Sequence, residues 1–124
     1  MCERFVRAIL VQGVLLHFLL SLWFPIVTIA GFTGPVVSVL DGDTVEVLRN
    51  HYPQHVHLSG IDCPEKGQAF GIRAKQAASV LVFGREIILQ TDGQDNYGRT
   101  LGDVFLRDGT KVNQELVKDG WCWW

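Results

Sequence analysis

The chain has 124 residues, 48% of them hydrophobic, and a formal net charge of −2. This length suits one domain and excludes two domains with separate cores. Residues 31–124 hold nine Lys and Arg against twelve Asp and Glu, a net charge of −3. This charge excludes a protein that coats nucleic acid through a generally basic surface. A polyanionic partner would therefore have to be bound by a local site or through a metal.

Residues 1–30 have the pattern of a signal peptide or an N-terminal membrane anchor. In the run 8–30, 17 of 23 residues are apolar and none is charged. As a helix this run would be about 35 Å long, enough to span a bilayer, and Ala30 offers a small residue for signal cleavage. We expect an exported domain at 31–124, either secreted or periplasmic after cleavage or held at the membrane through residues 8–30.

Three short strands are predicted to follow. Residues 35–40 are rich in β-formers, the Asp-Gly pair at 41–42 signals a turn, and residues 44–48 alternate between apolar and polar side chains. After a turn at 51–54, residues 55–61 form the third predicted strand. The predicted inward side chains are Val45, Val47, Val56, Leu58 and Ile61.

Helical spacing then begins at Gly67 and ends at Gly84. Two more strands are predicted at 86–91 and 100–107, followed by a short helix that Asn113 would cap. This order predicts an α+β fold, a five-stranded OB-type barrel with one helix between strands 3 and 4 and a short helix after strand 5. An open sheet backed by helices is the alternative. The apolar positions of the longer helix are Phe70, Ala74, Ala77, Ala78, Leu81 and Val82.

Two cysteines fall within the expected exported domain. Cys63 and Cys122 are candidates for a disulfide, because compartments beyond the inner membrane permit such bonds. Two buried thiols packing as small apolar side chains are the alternative. The cysteine count is compatible with both.

Three short segments carry the candidate chemistry. Carboxylates at Asp43, Asp62 and Glu65 would repel one another if adjacent strands brought them together, unless a cation were bound between them. Tyr97 and Arg99 suit a nucleic acid, since the ring stacks on a base and the guanidinium forks onto a phosphate. Each segment taken alone is more typical of an ordinary polar turn or loop than of a functional site. The segments are Asp-Gly-Asp-Thr at 41–44, Ile-Asp-Cys-Pro-Glu at 61–65 and Asp-Asn-Tyr-Gly-Arg at 95–99.

These motifs, together with Val-Asn-Gln-Glu-Leu-Val at 112–117, resemble in order and spacing the thermonuclease (staphylococcal nuclease-like) family. The resemblance covers about residues 34 to 124, and four ordered motifs are far more specific than one. It implies an OB-type barrel that hydrolyses DNA and RNA phosphodiesters with one Ca²⁺. We expect a monomer.

By position, the resemblance assigns the metal carboxylates to Asp43 and Asp62 and a further metal ligand to the backbone carbonyl of Cys63. It makes Glu65 the general base for the attacking water and Arg99 a clamp on the phosphate. Tyr97 would contact the nucleotide. Such a site agrees with the chemistry of phosphodiester hydrolysis, because an oxygen-ligated cation neutralises the phosphate while a carboxylate activates water.

Two features depart from the family. The family resemblance implies a second catalytic arginine five residues before Asp62, where this chain has His57. We place His57 in the catalytic set, although an imidazole offers one directed hydrogen-bond donor where a guanidinium binds a phosphate bidentately. The chain also ends at Trp124, so we expect the family's final helix to be missing, either through truncation or because Trp124 is the natural end. A degenerate OB-fold module that binds nucleic acid, or a truncated product without function, is therefore the alternative to a nuclease.

Overall fold

The computed structural model describes Pro25 and residues 30–124. The predicted leader lies outside these residues except for Pro25 and Ala30. Within the described part of the chain, no helix has the length and apolar character needed to cross a membrane. The elements are β1 (Gly31–Asp41), β2 (Thr44–Arg49), β3 (Tyr52–Leu58), α1 (Gly71–Val82), β4 (Glu86–Gln94), β5 (Thr100–Phe105) and α2 (Val112–Lys118).

The strands form a closed barrel in the order β1-β2-β3-β5-β4. β3 and β5 run parallel, and every other neighbouring pair is antiparallel. The predicted five-stranded barrel is confirmed, with α1 between β3 and β4 and α2 after β5. The alternative of an open sheet is wrong.

β1 is longer than the strand predicted at 35–40, because it serves two neighbours. Its first half pairs with β4, from Gly31 to Pro35, and its second half pairs with β2, from Val36 to Asp41. Two register shifts lie in the half that pairs with β2, and such irregularities bend a strand. The first half was not predicted as strand, because Gly31 and Gly34 have low strand propensity.

The turn between β2 and β3 is tighter than predicted. Arg49 pairs with Tyr52, so two residues make the turn, and both Asn50 and His51 have positive φ, 51° and 69°. This geometry is that of a type I′ hairpin turn. The predicted start of β3 at residue 55 is therefore wrong by three residues, and the strand ends at Leu58 rather than at residue 61.

The inner face of the barrel is lined by the predicted apolar residues. All five predicted inward side chains are buried, and α1 contributes Ala74, Ala78 and Val82 to the same core. The prediction for Phe70 is wrong, since it is 70% exposed. It lies just before α1 with a φ of 63°, because the helix begins at Gly71 and not at Gly67 as predicted.

Asn113 is a buried polar anchor and not the predicted helix cap. The residue before α2 is Lys111, and no side chain caps the helix there. Asn113 is fully buried; its Oδ1 accepts a hydrogen bond from the Val104 N–H at 3.0 Å, and its Nδ2 donates to the Ser59 carbonyl at 2.9 Å. One side chain thereby ties α2 to β5 and to the loop after β3.

We expect Asn113→Ala to lower the free energy of unfolding by about 2–4 kcal/mol, because it removes the partners of the buried Val104 N–H and the partly buried Ser59 carbonyl. Urea denaturation measures the loss. Gln114, the exposed neighbour in the same helix, provides the control, and Gln114→Ala should stay within about 0.5 kcal/mol of the parent. Equal losses in the two variants would contradict the role of Asn113 as an anchor.

Candidate active site

The turn between β1 and β2 places Asp43 against the loop that follows β3. A Cβ on Gly42 would lie 3.0 Å from the Cβ of Cys63 and 3.1 Å from the Cβ of Ala74, so glycine permits the close approach. Asp43 is buried. Its Oδ2 accepts a hydrogen bond from the Cys63 N–H at 2.9 Å, and its Oδ1 accepts one from the Thr44 hydroxyl at 3.1 Å. Two segments of the chain thus fix the direction of this carboxylate.

Asp43, His57 and Asp62 form a group of potential metal ligands. One oxygen of each carboxylate and one ring nitrogen lie within 4.8 Å of one another. Asp43 is buried, His57 is half-buried and Asp62 is exposed, so the group opens to solvent on one side. Oxygen and imidazole donors at this spacing suit a divalent cation. The two carboxylates to which the sequence assigned the metal are therefore close together.

The loop that carries Asp62 is tied to the end of the chain. Asp62 forms two backbone hydrogen bonds with Trp123: its N–H donates at 2.8 Å and its carbonyl accepts at 2.9 Å. One residue along, Cys63 and Cys122 form a disulfide with 4.3 Å between their Cα atoms. The segment at residues 122–123 therefore fixes the backbone on which Asp62 and Cys63 lie.

Glu65 lies on the same loop, and its side chain is exposed. Its backbone N–H donates to Oε1 of Gln68 at 2.9 Å, and its carbonyl accepts from the Gln68 N–H at 2.9 Å. A Cβ on Gly71 would overlap the Glu65 carbonyl oxygen, so the first residue of α1 packs directly on this backbone. The group of donor atoms does not include Glu65, so of the three carboxylates expected to converge, the group contains only Asp43 and Asp62.

The loop before β5 holds Arg99 in a defined orientation. The Asp95 carboxylate accepts hydrogen bonds from the N–H groups of Tyr97 and Arg99, each at 2.9 Å, and from the Arg99 Nε at 2.6 Å. Desolvation raises the pKa of Asp95, but the hydrogen bonds from Arg99 and Tyr97 and the Arg99 charge outweigh it, so the pKa lies below its usual value. Asp95 therefore stays ionised at neutral pH and holds Nε, leaving the terminal Nη groups of Arg99 for a ligand.

Tyr97 projects from this loop and is 85% exposed. The guanidinium carbon of Arg99 lies 5.6 Å from the centroid of its ring, within the range of a cation–π contact. Because β5 runs parallel to β3, with Thr100 opposite Val56, Arg99 lies at the start of the strand next to the one that carries His57. Arg99 thus lies just before the strand that pairs with β3, on which His57 lies.

Three contacts in the site were not foreseen from the sequence. Asp95 orients Arg99, Thr44 links Asp43 to His57, and the backbone of Trp123 holds Asp62. A signal for the first was present, since an acidic residue four positions before an arginine in a Gly-containing turn can accept its hydrogen bonds. The Trp123 contact spans 61 residues and leaves no local signal.

Comparison with known proteins matches this chain to the family model described as "Staphylococcal nuclease homologue" over residues 55–124. The chain belongs to this family. Among its relatives are "Micrococcal nuclease" of Shigella flexneri, 42% identical over 102 residues, with 76% of this chain and 59% of the relative covered. "Protein ParB" of Escherichia coli is 41% identical over 102 residues, covering 76% and 58%.

A third relative, an "Uncharacterized endonuclease" of Haemophilus influenzae, is 40% identical over 92 residues, with 73% of this chain and 51% of the relative covered. The chain therefore spans between about half and three fifths of the length of these relatives. The range matched by the family model contains Asp62, Glu65 and Arg99. Asp43 lies before this range, in the β1–β2 turn, and is close in space to Asp62 and His57.

Proposed function

We propose that the chain is a divalent-cation-dependent phosphodiesterase that hydrolyses strands of DNA and RNA, with Ca²⁺ as the cation. The observation that carries the proposal is the convergence of Asp43 and Asp62 from separate segments into one ligand group. Glu65, three residues after Asp62 on the same loop, and Arg99, just before β5, are the further residues that we assign to the site. Membership of the staphylococcal nuclease homologue family, with relatives named as nucleases and endonucleases, supports it.

Asp43 and Asp62 would hold the cation, and the backbone carbonyl of Cys63 would add a third oxygen. The donor set fits this assignment, because carboxylate and carbonyl oxygens are the ligands that Ca²⁺ takes in proteins. When bound, the cation supplies charge neutralisation at the phosphate and favours ionisation of water. The hydrogen bonds from Thr44 and Cys63 already direct the Asp43 carboxylate.

Three side chains would act on the substrate itself. Glu65, exposed on its loop, accepts a proton from the attacking water. Arg99, with Nε fixed by Asp95, donates from its remaining N–H groups to the phosphate oxygens, where negative charge grows in the transition state. The exposed ring of Tyr97 stacks on a base, a contact that every base can make.

A second candidate function is nucleic-acid binding without cleavage. It is favoured by His57 at the position where the family resemblance implies an arginine. An imidazole cannot replace a bidentate guanidinium, and loss of one preorganised donor typically costs about 10²- to 10³-fold in rate. A slow enzyme and a binding module are therefore the two outcomes to separate.

The size and mobility of labelled nucleic-acid strands distinguish hydrolysis from binding without cleavage. The purified chain is mixed with end-labelled single strands of DNA and RNA in millimolar Ca²⁺, and each mixture is run on denaturing and native gels. The proposed function predicts shorter labelled strands on the denaturing gel. Retardation of intact strands on the native gel alone would overturn hydrolysis and favour the binding module, and no change on either gel would overturn both.

We also propose that the domain acts as a monomer outside the cytoplasm, with residues 1–30 as a cleaved signal or as an anchor through residues 8–30. The Cys63–Cys122 disulfide supports this location, because such bonds persist in oxidising compartments. Fractionation of cells that express the full chain tests it. Recovery of the chain only from the cytoplasm would contradict export.

Ca²⁺ is expected to raise the Tm of the purified chain. A ligand that binds only the folded state raises the free energy of unfolding by about 2.7 kcal/mol when its concentration is 100 times its Kd. Asp62→Asn should remove most of this rise, because Asp62 is exposed and its side chain can change without disturbing the core. Asp108→Asn is the control. Asp108 follows β5, whereas Arg99 precedes it, and Oδ1 of Asp108 accepts a hydrogen bond from the Thr110 N–H. Equal rises in the two variants would contradict the site.

A further inference from the structure

We propose that His57 is a ligand of the cation, and that the site consequently prefers a first-row transition ion such as Co²⁺ over Ca²⁺. The inference deepens the proposed function and rests on it for the two carboxylates of the site. It concerns the one position at which this chain departs from the arginine that the family resemblance implies.

The pairing of β2 with β3 brings His57 to the metal group. His57 pairs with Thr44, and its Nδ1 lies 3.2 Å from the Thr44 hydroxyl and 3.8 Å from Oδ1 of Asp43. Its side chain is 19% exposed, so the ring is confined beside Asp43. The Thr44 hydroxyl donates its one proton to Asp43, so His57 Nδ1–H is the donor in this contact and the ring lone pair is on Nε2. Binding of a cation through Nδ1 moves the ring proton to Nε2 and replaces the contact with Thr44.

The distances between the donors are slightly wider than those around a bound metal ion. With ligand bonds of about 2.1 Å, neighbouring donors in a coordination sphere lie about 3.0 to 3.4 Å apart and opposite donors about 4.2 Å apart. His57 Nδ1 lies 3.8 Å from Asp43 Oδ1, and the three donors that include Asp62 lie within 4.8 Å of one another. Small side-chain movements would bring the three donors onto one ion.

The side chain at position 57 determines which cation the site prefers. Arginine carries a permanent positive charge and has no lone pair, so at this position it would repel a cation. Neutral imidazole binds one, and it suits Zn²⁺, Ni²⁺, Co²⁺ and Cu²⁺, whereas Ca²⁺ takes oxygen ligands. One nitrogen beside two carboxylates therefore makes the site bind these ions more tightly than Ca²⁺, while Ca²⁺ at millimolar concentration still binds through the oxygen ligands.

Metal binding tests the inference without reference to activity. Isothermal titration of the purified, chelator-stripped full chain with Co²⁺ and with Ca²⁺ should give at least about tenfold tighter binding of Co²⁺. His57→Gln should reduce Co²⁺ affinity by about tenfold or more and leave Ca²⁺ affinity within about twofold. The matched control is His55→Gln, since His55 lies two residues away on β3, is more than half exposed and pairs with Glu46 outside the group.

A second measurement needs no substitution. In NMR spectra of the parent chain, substoichiometric Co²⁺ should broaden or shift the ring signals of His57 at lower concentrations than those of His55. Ca²⁺ bound as tightly as Co²⁺, or equal Co²⁺ affinity in the parent and His57→Gln, would overturn the role of His57 while leaving the carboxylate site intact. Binding of neither ion by the parent would overturn the metal site of the proposed function as well.

Discussion

Glu65→Gln is expected to slow strand cleavage by about 10²- to 10⁴-fold, the usual contribution of a positioned general base. Glutamine has nearly the same shape and cannot take the proton of the attacking water. The fold should be unaffected, because within residues 30–124 the hydrogen bonds of Glu65 come from its backbone, to Gln68. Single-turnover cleavage of a labelled strand, with chain in excess, measures the chemical step.

The control for this variant is Glu86→Gln, the same change of carboxylate to amide at the opposite end of the barrel. Glu86 pairs with Pro35, six residues along β1 from Asp41 and so roughly 20 Å away. Its side chain forms an exposed ion pair with Arg107. Glu86→Gln should cleave at the rate of the parent. If Glu65→Gln cleaved as fast as this control, Glu65 would not be the base.

Opening the Cys63–Cys122 disulfide is expected to lower the free energy of unfolding by about 4 kcal/mol, the chain-entropy value for a loop closed across 59 positions. The bond joins the Asp62 loop to the last residues of the chain, so its loss should also weaken cation binding. Urea denaturation of the parent with and without reductant measures the change.

The double variant Cys63→Ala/Cys122→Ala is the control, because reductant should not change its unfolding midpoint. Mass mapping of the folded parent gives an independent check, with one cross-linked peptide pair expected. Free thiols at both Cys63 and Cys122 in the parent, or an unfolding midpoint of the parent that reductant leaves unchanged, would contradict the role of the disulfide.

The fold could be predicted largely from local patterns. Alternation at Val45 and Val47 and the Asp-Gly turn before them depend on residues close in the sequence, and both are where they were expected. The errors arise where tertiary structure overrides local preference. Barrel closure extends β1 back to Gly31, and Asn113, whose residue type favours a cap, is buried because it bridges α2 and β5.

The site could be predicted in part. Asp43 follows β1 and Asp62 follows β3, and both strands pair with β2, so the convergence of the two carboxylates was foreseeable from the predicted order of strands. The location of His57 depends on the register of β2 against β3, and a shift of one residue would turn its ring to the other face. The Asp62–Trp123 contact depends on where the chain returns after α2, which no local pattern encodes.

The most direct test of the account is the rate at which the full chain cleaves labelled single-stranded DNA as Ca²⁺ is added back after chelation. The parent should be inactive when stripped and should regain cleavage along a saturable curve, as should Asp108→Asn. Asp62→Asn should remain inactive at the Ca²⁺ concentration that saturates the parent, because one of the two carboxylates that hold the cation is lost. Cleavage that survives chelation, or that is equal in Asp62→Asn and the parent, would contradict a cation site built on Asp43 and Asp62.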